Sequence, residues 1–441
     1  MNTPRTLYAL CIATTLTASS MSLADVLTVP SREHPTLQGA IWDAENGDVV
    51  NILPGVYNGT LHVSATEGCR AVTLRAAHGP GSVVLQSWAG RHQFTGWLCG
   101  DEGIDLMHIR VEGITFAASQ RFQRFKDGVH VTHCTADFIN CEFTGLVNDI
   151  NRDDWQPSGT DNHGAVTIHQ SVATFTRCTF SNNGAVNTRG KVGTMVTGGA
   201  IDSFESDLVI DRCRFNNNYV KTTDSDNPNS ASMTKALGGA LRLKRGTLRI
   251  DDSTFVSNTA SGLPGHSQPD VIQGGAIHAQ DVAVISVRTS TFQSNTAERG
   301  VNDKWATGMG GAVYLTNDER GDVARFASNE FIENHAGLTG GAMHVEGRTL
   351  TKANSDRYHC NTVNQVSGNW SDRGRNVFTD CEPDCPWDAN GDGRLDKADL
   401  YAIIGNYGPA KDGSRFDLND DGMVDSQDVI LALTHWGSCD K

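Results

Sequence analysis

The sequence predicts an all-β chain wound into a parallel β-helix, followed by a small α-helical calcium module. Three observations predict it. A short phrase is written five times, each copy runs into a brief alternating strand, and two matching acidic loops stand near the C-terminus.

The phrase begins Gly198-Gly199-Ala200-Ile201 and recurs from Gly238, Gly274, Gly310 and Gly340. Each copy reaches an aromatic after 17, 17, 18, 21 and 18 residues: Phe215, Phe255, Phe292, Phe331 and Tyr358. Every one of these opens the pattern aromatic-x-x-Asn, and a degenerate copy, His163-Gly164-Ala165-Val166, reaches Phe180 in 17. From Asn to the next Gly pair the spacing scatters between 6 and 20 residues. A constant core with elastic loops at one corner is how a solenoid accommodates insertions.

The elements follow in chain order. Residues 1–24 carry a lone early Arg5, an apolar-leaning stretch from Leu7 to Leu16, and small residues ending Ser22-Leu23-Ala24. That is the form of an export signal cleaved after Ala24, and it is shorter than the roughly 20 apolar residues a membrane span needs. No other stretch is apolar enough to span, so the expectation is an exported protein, extracellular or at the cell surface, with no transmembrane segment after cleavage. A formal charge of -15 argues against nucleic acid or an anionic membrane as partner. Cleavage removes Cys11 and leaves ten cysteines, an even count that permits disulfides in an exported chain.

In "HPTLQGAIWDAENGDVVNILPGVY" (34–57), Leu37, Ala40, Ile41 and Ala44 fall at helical spacing. Gly47 is expected to stop that helix and "VVNIL" to begin the first strand. Such a helix would cover the open apolar end of a solenoid. Beyond it, "ATFTRCTF" (173–180), "LVIDRCRF" (208–215), "LRIDDSTF" (248–255) and "ISVRTSTF" (285–292) alternate with period two and are rich in Val, Ile, Thr and Phe. Strands so short cannot bury a face alone. Stacked coil on coil they can, Phe over Phe. Each phrase Asn is expected at a turn, where it tolerates left-handed backbone and can bond its neighbours along the axis, and the Gly pair permits a tight corner. Cys141, Cys178 and Cys213 each stand two residues before their Phe, a place taken later by Ser253 and Ser290. They read as an inward ladder of small residues rather than a metal or redox site.

Past Cys381 the composition changes. "DANGDGRLDKAD" (388–399) and "DLNDDGMVDSQD" (417–428) place acids or amides at loop positions 1, 3, 5, 9 and 12 and glycine at position 6. Calcium takes several hard oxygens around a sharp turn of this kind. Side-chain oxygens would come from Asp388, Asn390, Asp392, Asp396 and Asp399 in one loop, and from Asp417, Asn419, Asp421, Asp425 and Asp428 in the other. Arg394 and Met423 would offer their carbonyls. Each loop runs into an apolar helical stretch, "LYAIIGNYG" (400–408) or "VILALTHWG" (429–437). Cys385 and Cys439 flank the pair of loops and could clasp it; Cys381 with Cys385 is the local alternative, leaving Cys439 free or joined to Cys360.

Two resemblances follow from these motifs. From Val129 to Asn361 the Gly-Gly-Ala-Ile and Phe-x-x-Asn repeats are similar to those of the polymorphic outer-membrane protein family. That resemblance implies a right-handed β-helix and adhesin-like surface display. From Asp384 to Ser438 the doubled loop-helix unit, with Asp at position 12, resembles a dockerin. That implies two calcium ions, a cohesin-like partner and a link to polysaccharide breakdown. At positions 10 and 11, where dockerins carry partner-recognition residues, this chain has Lys397-Ala398 and Ser426-Gln427. The domains expected are therefore a signal peptide (1–24), a pectin-lyase-like β-helix (25–380) and a dockerin-like module (384–441).

Three functions fit: display or binding of a polysaccharide or cell-surface glycan, cleavage of one by a lyase or glycosidase, and an inert spacer. A lyase needs a base near the uronate Cα and a cation on its carboxylate, and a glycosidase needs two carboxyls. Loop residues offer candidates: Asp149, Asp153, Asp154, Asp161 and His163 around Trp155, and Asp303 and Lys304 beside Trp305. No lyase signature marks a catalytic residue.

Overall fold

The computed structural model describes residues 24–59, 61–64, 71–86, 96–99, 107–118, 128–149, 162–187, 195–222, 234–262, 271–298, 307–317, 323–348, 350–379, 387–390, 394–410, 414–419 and 421–438. The first of these segments opens on a strand, Val26–Val29, that the sequence reading missed. It pairs in parallel with Val49–Ile52, and the helix α1 (Leu37–Asp43) lies between the two in sequence. Thr36 caps α1 by accepting a hydrogen bond from the Gly39 amide, and Leu37, Ala40 and Ile41 turn inward. Gly47 lies beyond the helix, in the turn that leads to the second strand.

From there the chain winds as a parallel β-helix. Every strand pairing between coils is parallel and in register, so each residue type meets its counterpart one coil away. One large sheet takes two strands from most coils, and a second sheet carries the phrase aromatics. Inside, Phe116, Phe143, Phe180, Phe215, Phe255, Phe292, Phe331 and Tyr358 form one column, which the exposed Phe378 ends. Successive ring centroids stand 4.5 to 5.0 Å apart, with planes within 7° of parallel.

Asparagines form a second column. The Nδ2 of Asn183, Asn218, Asn258, Asn295 and Asn334 each donates to the Oδ1 of the next, ending on Asn361, at 2.8 to 3.0 Å. Each also donates to a carbonyl of the preceding coil, so no buried amide of the column lacks a partner. The left-handed residue of the corner is the one before the ladder Asn: Asn182, Asn217, Ser257, Ser294, Glu333 and Cys360 all have φ between 51° and 56°. The ladder Asn is thus chosen for its bonds, not for its backbone.

The cysteines continue this logic. Cys141, Cys178 and Cys213 are free, buried thiols, and the column runs on through Ser253, Ser290, Asn329 and Asp356. Along it an amide of one coil donates to the column side chain of the next, as from Cys178 to Cys213 Sγ at 3.3 Å and from Cys213 to Ser253 Oγ at 3.0 Å. Cys360 is disulfide-bonded; Cys69, Cys381, Cys385 and Cys439 lie outside the described residues.

The Gly pairs answer a steric demand. The first glycine of each has φ between 49° and 70°. A Cβ on the second would meet a carbonyl oxygen of the next coil at 2.1 to 2.3 Å, as at Gly199, Gly239, Gly275 and Gly311. Only glycine lets the coils close up there.

The interval between Asn and Gly pair departs from the loop the spacing suggests. Its two ends are strands, forming a six-stranded and a five-stranded narrow sheet among the described residues. Ala185, Val220, Ala260 and Ala297 of one pack against Val196, Ala236 and Ile272 of the other, a second small core apart from the main one. In sequence the insertions fall between the strands of these two sheets, which together make a narrow two-layered fin. Residues 387–438 build a third core of their own. The helices α2 (Lys397–Gly405) and α3 (Ser426–Thr434) pack around Ala389, Leu395, Ile403, Val424 and Ala432. Among the described residues no helix is long and apolar enough to cross a membrane.

Candidate functional site

The residue after each Gly-Gly-Ala-apolar unit points outward, away from the Phe column, and the five copies differ there: Asp202, Arg242, His278, Tyr314 and His344. Strand register places them side by side, with His130 and Thr167 extending the row on one side and Ser367 on the other. Four of the five are 3% exposed or less. Burying so many polar groups outside the main core requires partners, and the five-stranded sheet supplies some of them.

His163, on that sheet, brings Nδ1 to 2.6 Å from Asp202 Oδ2, and Arg242 Nη1 stands 3.1 Å from Asp202 Oδ1. Burial pushes the Asp202 carboxyl up, but Arg242 and His163 outweigh it and hold it well below the usual carboxylate range. His278 lies within 3.2 Å of Gln273 Oε1; burial and then the Arg242 charge lower its pKa to about 3, so its imidazole is neutral. The Tyr314 ring stacks between His278 (5.3 Å) and His344 (5.5 Å), and its hydroxyl donates to Glu346. Burial and Glu346 both raise the phenol, which stays protonated. His344 Nδ1 stands 2.7 Å from Ser367 Oγ. At the far end, burial and the neighbours His163 and His169 bring His130 down to about 4.

Two residues further along each strand lies a second outward row, and it is accessible: Thr132, His169, Phe204, Lys244, Gln280 and Thr316 are half-buried and Glu346 is exposed. The buried row is a floor and this row is its open margin. Coils repeat about every 4.8 Å, close to the length of one sugar residue in an extended chain.

Of the loop candidates, His163 joins this site and Asp149 lies on the six-stranded sheet. Asp153, Asp154, Trp155, Asp161, Asp303, Lys304 and Trp305 lie outside the described residues. The floor itself was missed. Its signal is nonetheless in the sequence: the fifth position of a phrase whose other positions repeat carries a titratable side chain in all five copies, three of them histidine or tyrosine.

The calcium-loop residues are placed as follows. Asp388, Asp399, Asp417 and Asp428 are buried, and Asp399, Asp417 and Asp428 have no cationic partner among the described residues. Asp396 and Asp425 cap α2 and α3, each accepting from the amide two residues on at 2.7 Å, while Asp399 and Asp428 close the capping boxes. In the second loop Asp417 accepts from the Asp421 and Gly422 amides, Asn419 Oδ1 from Asp421, and Asp421 Oδ1 from Met423. Gly422, at position 6, has φ +88°. Asp399 Oδ1 accepts from the Asn390 amide. Asp392 and the Arg394 side chain lie outside the described residues. Among the described residues no three acidic, histidine or cysteine side chains form a closed metal cage.

No protein-family profile and no curated protein sequence matches the chain. Solved structures similar to it include an alginate lyase from Paenibacillus sp. str. FPU-7, at 14% identity over 81% of this chain and 98% of that one, TM-score 0.39. A PL6 alginate lyase in complex with a trisaccharide matches at 13% identity over 80% and 89%, TM-score 0.27. The Dettilon tailspike protein matches at 10% identity over 81% and 69%, TM-score 0.27.

Proposed function

We propose that this chain is an exported, surface-acting protein whose β-helix binds a polysaccharide, and whose C-terminal module binds calcium and docks to a cohesin-like partner. The observation that carries the first part is the fifth phrase position. A solenoid serving only as a spacer has no use for a buried Asp-Arg-His-Tyr row beside an accessible one, since ordinary outward positions are solvated and interchangeable. A fixed polar floor holds the margin residues in place, as a binding surface requires.

The calcium part is supported by the donor set. Buried carboxylates gathered around a glycine turn, held by backbone amides and, for Asp399, Asp417 and Asp428, with no basic partner among the described residues, are the oxygens a cation takes. Asp388, Asn390, Asp392, Asp396 and Asp399 would hold one ion, with the Arg394 carbonyl. Asp417, Asn419, Asp421, Asp425 and Asp428 would hold the other, with the Met423 carbonyl.

A second reading, cleavage, is favoured by one place on the floor. Protonated Tyr314, exposed Glu346 and half-exposed His344 stand together where the buried row meets its margin, a proton donor beside a carboxylate and an imidazole. Purified protein with calcium, tested against neutral and acidic polysaccharides, separates the readings. Retention without new chain ends supports binding. Release of unsaturated or reducing ends, lost in Tyr314→Phe, supports cleavage. Neither retention nor release rules out both.

A further inference from the structure

"KALGGALRLKR" (235–245) and the Arg249 that follows put five cations and no acid into the stretch from Lys235 to Arg249, in a chain of net charge -15. Three of the five are committed. Arg242 pairs with Asp202 at 3.1 Å, Arg245 with Glu205 at 2.5 Å, and Arg249 with Asp251 at 2.5 Å. Lys235 and Lys244 have no carboxylate partner among the described residues.

Lys244 stands in the accessible row, directly across the strand pair from Phe204, with Nζ 6.0 Å from that ring's centroid. Phe204 in turn stacks on His169 at 5.2 Å, so the half-buried Lys244 has an aromatic ledge beneath its ammonium. Lys235 is exposed on the five-stranded sheet across the floor, close enough for its charge to act on His278. Arg242, two residues before Lys244 and in the buried row, has its charge held by Asp202.

We propose that Lys244 and Lys235, with Phe204 as ledge, form a subsite for an anionic sugar residue, one bearing a carboxylate or a sulfate. The inference rests on the glycan-binding reading and narrows it to a charge class. Two ammonium groups with no carboxylate partner among the described residues are the complement of a fixed anion, and a neutral sugar would leave their charge unanswered. In a chain of net charge -15, an acid-free stretch with five cations is a local reversal of sign, which is what recognition of an anionic polymer requires.

The test uses the full chain, a polyuronate, the same polymer with its carboxyl groups reduced to alcohols, and a neutral glucan and xylan, with binding read by calorimetry. The subsite predicts at least tenfold weaker binding of the reduced polymer and weakening of polyuronate binding with added salt. It also predicts about a tenfold loss in Lys235→Gln/Lys244→Gln, whose far-ultraviolet circular dichroism should match the parent. Equal binding of the charged and reduced polymers, or a double variant that binds as the parent does, overturns the subsite and leaves glycan binding standing. Failure to bind any of the four polymers overturns both.

Discussion

Asp356 is the one carboxylate in a column otherwise built of cysteine, serine and asparagine. Its Oδ1 accepts from the amide and the Nδ2 of Asn329, at 2.7 and 2.9 Å, while Oδ2 has no partner among the described residues. Burial raises its pKa to about 6, against the opposing pull of the Asn329 bonds. The sign is the reverse of the usual acid case. The cost of the buried charge is fully present above pH 6 and disappears as pH falls through 6 towards the unfolded value near 4. A rise of about two pH units corresponds to roughly 3 kcal/mol. Asp356→Asn is therefore expected to raise the thermal midpoint at pH 7 and to lose that advantage by pH 4; an equal midpoint at pH 7 would contradict the assignment. The Phe column makes a different demand. Phe215 touches rings 4.6 and 4.5 Å away on either side and is fully buried. Phe215→Ala should cost about 3–5 kcal/mol, read as a lowered denaturation midpoint, whereas a solvent-facing ring would cost almost nothing.

At the level of elements, the repeat spacing carried most of the fold. It located the Phe column, the Asn column and the small-residue column, because each depends on one residue type recurring at one interval; the helix over the N-terminal end came instead from the helical spacing of Leu37, Ala40 and Ile41. The fin was not legible. Its strands, such as Lys235–Leu237 and Val271–Gln273, are three residues long, too brief to show alternation, and their partners lie a full coil away. The polar floor was hidden for the opposite reason. Asp202, Arg242, His278, Tyr314 and His344 occupy a position that does not repeat inside a phrase that does, and only register shows that they meet. The Asn column offers a sharp test of how much the repeats contribute. Asn258 donates to Phe215 O and Asn295 Oδ1 and accepts from the amide and Nδ2 of Asn218. Asn258→Ala leaves a buried carbonyl and a buried amide without partners, at about 1–3 kcal/mol each. Hydrogen exchange should quicken in the coils on either side of Asn258 and stay unchanged at α1, since a solenoid transmits damage only to its neighbours.

For the whole molecule the question is whether its folded units respond to one signal or to two. The solenoid is held by stacked rings and amide columns, none of which involves a metal donor. Residues 387–438 have a core of five small or medium side chains, and four aspartates of the same unit are buried. A core that small contributes little by itself. With calcium in the two loops the balance changes: a site occupied at a hundred times its dissociation constant adds about 2.7 kcal/mol, and two such sites about twice that. Calcium removal should therefore act on one unit only. In a calorimetric scan of the full chain, chelation is expected to shift a small transition down by many degrees and to leave the large solenoid transition where it was. Asp399→Asn and Asp428→Asn, each at position 12 of its loop, should halve the calcium-dependent shift singly and abolish it together. Single and double variants that respond to calcium as the parent does would remove the loops from the account. A solenoid transition that moves with calcium would mean that the ion acts at the β-helix.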